Sequence, residues 1–154
     1  MPNRHMFRQS NSGIVMITKD VKIRVRYKDT DKMGVVYHSN YIVYYEVART
    51  EMLRELDIPY SEMEAQGVMM PILEIESKYI APAYYDEEIT VRAIIDAEPM
   101  ARINVRYEVF NEAGQTINTG HTLLGFVNSE TRRPCRAPKQ FADRIREELA
   151  KSAE

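Results

Sequence analysis

From Val21 to Lys28 the chain alternates apolar and basic positions: Val21, Ile23, Val25 and Tyr27 against Lys22, Arg24, Arg26 and Lys28. Strict period two predicts a strand with one buried and one solvated face. The basic face either meets water or reaches a ligand phosphate. Near Ser39 and Asn40, both good N-cap types, the period becomes helical. Tyr41, Tyr45, Ala48, Met52 and Leu56 then fall in one stripe, with Glu46, Thr50 and Arg54 opposite. Val43 and Val47 fall on the opposite side too. The first half of this helix is therefore apolar nearly all round and has to be covered all round. A curved sheet plus a partner subunit would cover it. Pro59 stops the helix, because it disfavours helical backbone at Ile58.

Ser61 to Gly67 predicts a short second helix, with a capping box from Ser61 to Glu64 and a glycine stop. Four strands are predicted next. Val68 to Ile80 is long, with Leu73, Ile75, Ser77 and Tyr79 on one face and Ile72, Glu74 and Glu76 on the other; Pro71 marks an edge or a bulge. Glu88 to Asp96, Arg102 to Val109 and Gln115 to Asn128 complete the set, joined in part by short hairpin connections. A last helix starts near Pro138 with Phe141, Ile145 and Leu149 on one face. Residues 1–17 read as a flexible tail and 18–154 as a single domain. The element order predicts a two-layer α+β fold: a curved five-stranded antiparallel sheet wrapped around a long central helix, with a C-terminal helix.

Composition narrows the function classes. A chain of 154 residues fits one domain with a real core. A net charge of -2 gives no field that would recruit nucleic acid or an anionic membrane. No run reaches the ~18 apolar residues of a membrane span, and the polar start lacks a signal-peptide core. Cys135 is the single cysteine, which excludes an intrachain disulfide and points to a reducing cytoplasm. It lies in a loop with no His nearby in sequence, and reads as inert. His5 sits in the tail and His121 in a strand, with no ligand spacing joining them, so neither a metal nor another cofactor is expected.

The candidate chemistry lies between the first strand and the long helix, in Asp29-Thr30-Asp31-Lys32-Met33-Gly34-Val35-Val36-Tyr37-His38. This polar loop empties into a helix N-terminus, where free N–H groups and the helix dipole favour anionic oxygen. A carboxylate there could activate water or attack, while the amides stabilise an oxyanion. The same Asp residues could instead only make turns and cap backbone.

The run Tyr27-Lys28-Asp29-Thr30-Asp31-Lys32-Met33-Gly34-Val35-Val36-Tyr37-His38, with Asn40-Tyr41 and Glu46-Val47-Ala48-Arg49-Thr50-Glu51-Met52-Leu53, resembles the hot-dog-fold acyl-CoA thioesterases of the 4-hydroxybenzoyl-CoA thioesterase type. The resemblance covers about residues 18–130 and is most specific over 27–54. It implies that Asp31 is the catalytic carboxylate and that the backbone amide of His38 holds the thioester carbonyl. Tyr27 and His38 match side chains that some members place around the acid. Tyr27 either packs in the strand core or orients Asp31. Gly34, Val35, Val36 and Tyr37 are implied to lie against the substrate. The resemblance also implies a homodimer with a shared site, often a dimer of dimers (a homotetramer), with coenzyme A along the dimer groove. One departure is plain. Where the relative acting on 4-hydroxybenzoyl-CoA has a basic cluster, this chain has Glu98-Pro99-Met100-Ala101-Arg102. Arg132 and Arg133, with Arg136, are alternative phosphate ligands, unless they only solvate a loop.

The leading expectation is an enzyme that hydrolyses an acyl-CoA thioester to acid and coenzyme A, with Asp31 as general base or nucleophile. Two alternatives stay open: a non-catalytic module that binds acyl thioesters, and a hydrolase acting on acyl carrier protein. A hot-dog hydratase-dehydratase ranks behind both, since it relies on a different His constellation. Chain length and headgroup of the acyl part are not written in the sequence.

Overall fold

The long helix forms where the period becomes helical, from Asn40. The computed structural model describes residues 15–153 and the backbone of residues 6–9. In chain order the elements are β1 (Met6–Gln9), β2 (Val15–Arg24), α1 (Asn40–Glu55), α2 (Tyr60–Ala65), β3 (Val68–Met69), β4 (Ile72–Tyr79), β5 (Glu88–Ile95), β6 (Arg102–Phe110), β7 (Thr116–Gly125), β8 (Val127–Asn128) and α3 (Lys139–Ser152). The main sheet runs β1-β2-β5-β6-β7-β4, antiparallel at every pairing. The five expected strands are there, and β1 adds a sixth on the outer edge of β2. β3 and β8 pair separately.

Alternation decides what is inside. Ile89, Val91, Ala93 and Ile95 of β5 are buried, as are Ile103, Val105, Tyr107 and Val109 of β6. They face the α1 stripe of Tyr41, Tyr45, Ala48 and Met52, which is buried too. Each large side chain removed from water contributes about 1.5–3 kcal/mol. At the centre Tyr45 stacks flat on Tyr107, centroids 4.2 Å apart and planes 2° from parallel. Gly120 makes this packing possible: a Cβ there would stand 2.5 Å from the Tyr45 hydroxyl and 2.3 Å from the Glu76 carbonyl.

Several expected boundaries move. The strand read over 21–28 ends at Arg24, and Tyr27–Asp29 forms a 3-10 turn. Asp29 Oδ2 accepts the Arg26 amide at 3.0 Å, which closes that turn and leaves Tyr27 80% exposed. Tyr27 is therefore not strand core. At the other end β2 starts at Val15, with Ile17 fully buried, and Met6–Gln9 pairs with it. Those residues are strand, not tail; residues 1–5 and 10–14 lie outside the described residues. The long strand over 68–80 splits at Pro71, which has no N–H to donate, and a register shift follows at Ile72/Glu74. The last strand likewise breaks at Phe126. α2 starts at Tyr60 behind Pro59, with no side-chain cap, so the Ser61–Glu64 capping box does not form.

β4 is the open edge of the sheet. Ile72, Leu73, Ile75 and Tyr79 are all exposed, whichever face they belong to. Val43 (53% exposed) and Val47 (39%) on α1 are uncovered as well.

Candidate active site

The site starts from a loop tied at both ends. Asp29 is buried, and its carbonyl accepts the Tyr37 amide at 2.9 Å and the Asn40 side-chain amide at 2.8 Å. Its carboxylate caps the Arg26 turn. All these roles hold backbone in place, as the turn-making reading of Asp29 has it. The Tyr44 hydroxyl is buried near this carboxylate; burial first, and the negative charge second, push its pKa well up.

Asp31 is held differently. Its amide donates to the Val35 carbonyl at 2.9 Å, and its own carbonyl accepts the Gly34 amide at 3.0 Å. Gly34 has φ +78°, a conformation that L side chains rarely adopt, so the tight return of the loop depends on glycine there. Asp31 Oδ1 accepts the Met33 amide at 2.8 Å. Among the described residues that is the only donor to this half-exposed carboxylate, and Oδ2 faces no protein partner. One oxygen is fixed while the other is left for a water or a carbonyl carbon.

Two grooves meet at Asp31. One is of mixed character and is lined by Tyr27, Lys28, Lys32, Gly34, Tyr37, Asn40 and Tyr85. The other is apolar and carries Val35, Val36, His38, Tyr41, Tyr79 and Ile80. Asp31 and His38 thus open on the same apolar groove, at the N-terminus of α1. Among the described residues the His38 amide has no acceptor within the chain, so this donor is free at the dipole-positive end of a four-turn helix. The His38 ring is exposed and lies 4.2 Å from the Tyr37 ring.

The structure therefore gathers Tyr27, Asp31, Gly34 and Tyr37 about one groove, and Asp31, Val35, Val36 and His38 about the other. Tyr27 meets the Tyr85 ring edge-on at 5.8 Å. Arg132 and Arg133 are not brought to either groove within one chain; they lie in the exposed turn after β8, where Arg132 has φ +61°. Sequence reasoning reached Lys28 only as part of a basic strand face open to a ligand phosphate and Tyr79 only as a strand residue, and it missed Lys32 and Tyr85 as groove residues. Asn40 was legible only as a cap type, whereas its side chain is the tether to Asp29. Among the described residues no cluster of three or more His, Cys, Asp or Glu side chains is placed to hold a metal ion.

Comparison with known proteins bears on the same residues. The thioesterase-like superfamily matches residues 25–145, which span both grooves and the whole central helix. The chain belongs to that superfamily. Thioesterase-like relatives include YneP of Bacillus subtilis (strain 168), named as a candidate acyl-CoA thioesterase, 35% identical over 122 residues and covering 79% of this chain and 88% of that one. The acyl-CoA thioester hydrolase YbgC of Escherichia coli O157:H7 is 30% identical over 119 residues, covering 77% and 89%. Among solved structures, a DHNA-CoA thioesterase from Staphylococcus aureus superposes with a TM-score of 0.78 at 34% identity, over 87% of this chain and 89% of that one. The fold is the hot-dog fold of these thioesterases, with the antiparallel sheet and C-terminal helix in place.

Proposed function

We propose that this thioesterase-like chain hydrolyses acyl-CoA thioesters with Asp31 as its base or nucleophile. The observation that carries the reading is the pairing, on one groove, of a carboxylate oxygen without a protein partner and a free helix N-terminal amide. Thioester hydrolysis needs those two groups: one to activate water or attack the carbonyl carbon, and one to stabilise the oxyanion. If Asp31 acts as base, water loses its proton to Oδ2 and adds to the carbonyl. The tetrahedral oxyanion forms against the His38 amide, and its collapse expels the coenzyme A thiolate. If Asp31 attacks directly, the C–S bond breaks, the coenzyme A thiolate leaves and a mixed anhydride forms, which water then cleaves to the free acid and the Asp31 carboxylate. Relatives named as acyl-CoA thioester hydrolases support the same chemistry.

The two grooves divide the substrate. The acyl group lies in the apolar groove of Val35, Val36 and Tyr41, and the anionic carrier arm lies past Lys28 and Lys32, beside Tyr27 and Tyr37. Arg132 and Arg133 serve the nucleotide phosphates only if a partner subunit brings them near. Assembly follows from exposed surface. Val43 and Val47 on α1, and Ile72, Leu73 and Ile75 on the edge strand β4, are exposed apolar side chains, which a second copy would cover to make a homodimer, and pairs of dimers a tetramer. No helix among the described residues is long and apolar enough to cross a membrane, and the lone Cys135 suits a reducing cytoplasm. Thiol release measured across short, long and aromatic acyl-CoAs tests the activity. Release from none of them, with acyl thioester still bound, would favour the binding-module reading. Release from acyl carrier protein alone would move the substrate to that carrier.

A further inference from the structure

His38 stands just before the Ser39 N-cap of α1, so its carbonyl lies outside the helical ladder. The amide four residues on, at Ile42, does not reach it. Ile42 instead donates to the Ser39 carbonyl at 3.3 Å. Among the described residues, the one donor to His38 O is the Tyr79 hydroxyl, at 3.0 Å, from a residue 41 positions away at the end of β4. The Tyr79 ring is itself braced. It meets Tyr41 edge-on at 5.5 Å, and the His38 ring stands edge-on to it at 6.4 Å. Tyr41 is buried in the first turn of α1, so the brace is anchored in the core.

We infer that Tyr79 is a positioning residue for the oxyanion donor: its hydroxyl holds the His38 carbonyl, and so fixes the direction in which the His38 amide points into the acyl groove. The His38 amide and carbonyl belong to successive peptide planes hinged at one Cα, so tethering the carbonyl restrains the second plane and narrows the turn of the first against it. The peptide plane that carries the His38 amide is held on its other side by the Asn40 amide, which donates to the Tyr37 carbonyl at 2.9 Å; Tyr79 holds the plane that follows it. The tether matters for rate because an oxyanion donor acts only when it is already aimed at the place where charge develops. The edge-on rings alone would allow the loop to slide; the hydroxyl sets its height. This inference rests on the thioesterase reading and adds a residue to it.

Tyr79→Phe keeps the ring contacts and removes the tether. With coenzyme A release as the assay, kcat should fall about five- to tenfold, the effect of one neutral hydrogen bond, with KM within about twofold. Thermal unfolding and oligomeric state should match wild type, and Tyr84→Phe, an equally exposed tyrosine outside both grooves, should behave as wild type. A second readout bypasses rate. In the Asp31→Asn background, a ¹³C-labelled thioester carbonyl should show its infrared stretch lowered on binding, and adding Tyr79→Phe should return it toward the free value. Turnover lost in Asp31→Asn but unchanged in Tyr79→Phe, or a carbonyl stretch that Tyr79→Phe leaves in place, overturns this inference alone. A raised KM at constant kcat also overturns it, since Tyr79 would then merely bind substrate. A wild type without turnover on any acyl-CoA overturns the thioesterase reading and this inference with it.

Discussion

Two aspartates two residues apart take opposite roles because of what each touches. The Asp29 carboxylate is buried and closes a turn, whereas Asp31 keeps an oxygen without a protein partner at the junction of two grooves. Asp31→Asn should lower turnover by at least ~10²-fold, the lower end for losing a general base, while its side-chain oxygen still accepts the Met33 amide and keeps the loop. Asp29→Asn should stay within about tenfold of wild type in turnover and instead lower the unfolding midpoint, since a buried cap is weakened. Steady-state kinetics and calorimetry on the pair separate the two roles. His38→Ala retains the backbone amide and should lose only part of the rate; a loss as complete as for Asp31→Asn would make the imidazole essential. The Asp-x-Asp spacing, the glycine after it and the helix start were all legible along the chain. Tyr79 was not, because a tether from 41 positions away leaves no local pattern. Tyr27 was misplaced for a different reason. Its side chain continues the alternation of β2, but the Asp29 cap bends the chain out of the sheet before it.

At the scale of elements, periodicity placed most strands to within a few residues, and three of the strand boundaries it missed share one cause. Each is a break made by backbone hydrogen bonding that hydrophobic alternation does not record: the Arg26 turn, the gap at Pro71 and the split at Phe126. The stripe of Tyr41, Tyr45, Ala48, Met52 and Leu56 was readable, as was the anomaly of Val43 and Val47, whereas the burial of Tyr44, Arg49 and Leu53 beside the stripe was not. What could not be read was the fit between α1 and β7. Gly120 carries no side chain because the Tyr45 hydroxyl and the Glu76 carbonyl occupy that space. Tyr45 also meets Ser77 at 2.9 Å and hydrogen-bonds Asn118, so it has little room to retreat. Gly120→Ala should cost about 1–3 kcal/mol as overpacking and lower the thermal midpoint by roughly 3–10 °C. Differential scanning calorimetry would show it; an unchanged midpoint would mean that the stack yields more easily than its geometry indicates.

For the whole molecule, the core holds the phenols of Tyr41, Tyr44, Tyr45 and Tyr107, with Tyr60 packed against it. Burial raises the pKa of Tyr41 and of Tyr45 to about 12 against an ordinary 10.0, and Tyr44 and Tyr60 shift upward as well. Tyr107 shifts the same way, although the Arg49 guanidinium beside it works against burial. Between about pH 10 and 12 the unfolded chain gives up these protons while the folded chain keeps them, so the folded state binds more protons and stability falls as pH rises. It should be unaffected below pH 10 on this account and collapse steeply above it. Tyrosinate absorbance and circular dichroism should change together in one cooperative step; separate transitions would show that the phenols ionise within an intact fold.

The bare edge of β4 has one more consequence. A chain that leaves an apolar helix face and a strand edge uncovered can be folded and yet unfinished, with its own abundance deciding when it works. Specific activity should be constant at high enzyme concentration and decline on dilution, with a lag in progress curves started from dilute stock as pairs re-form. A rate strictly proportional to enzyme down to the lowest measurable concentration would mean that one copy suffices. If pairing is required, the protein carries its own threshold: a cell making only a few copies would hold the polypeptide without the catalyst.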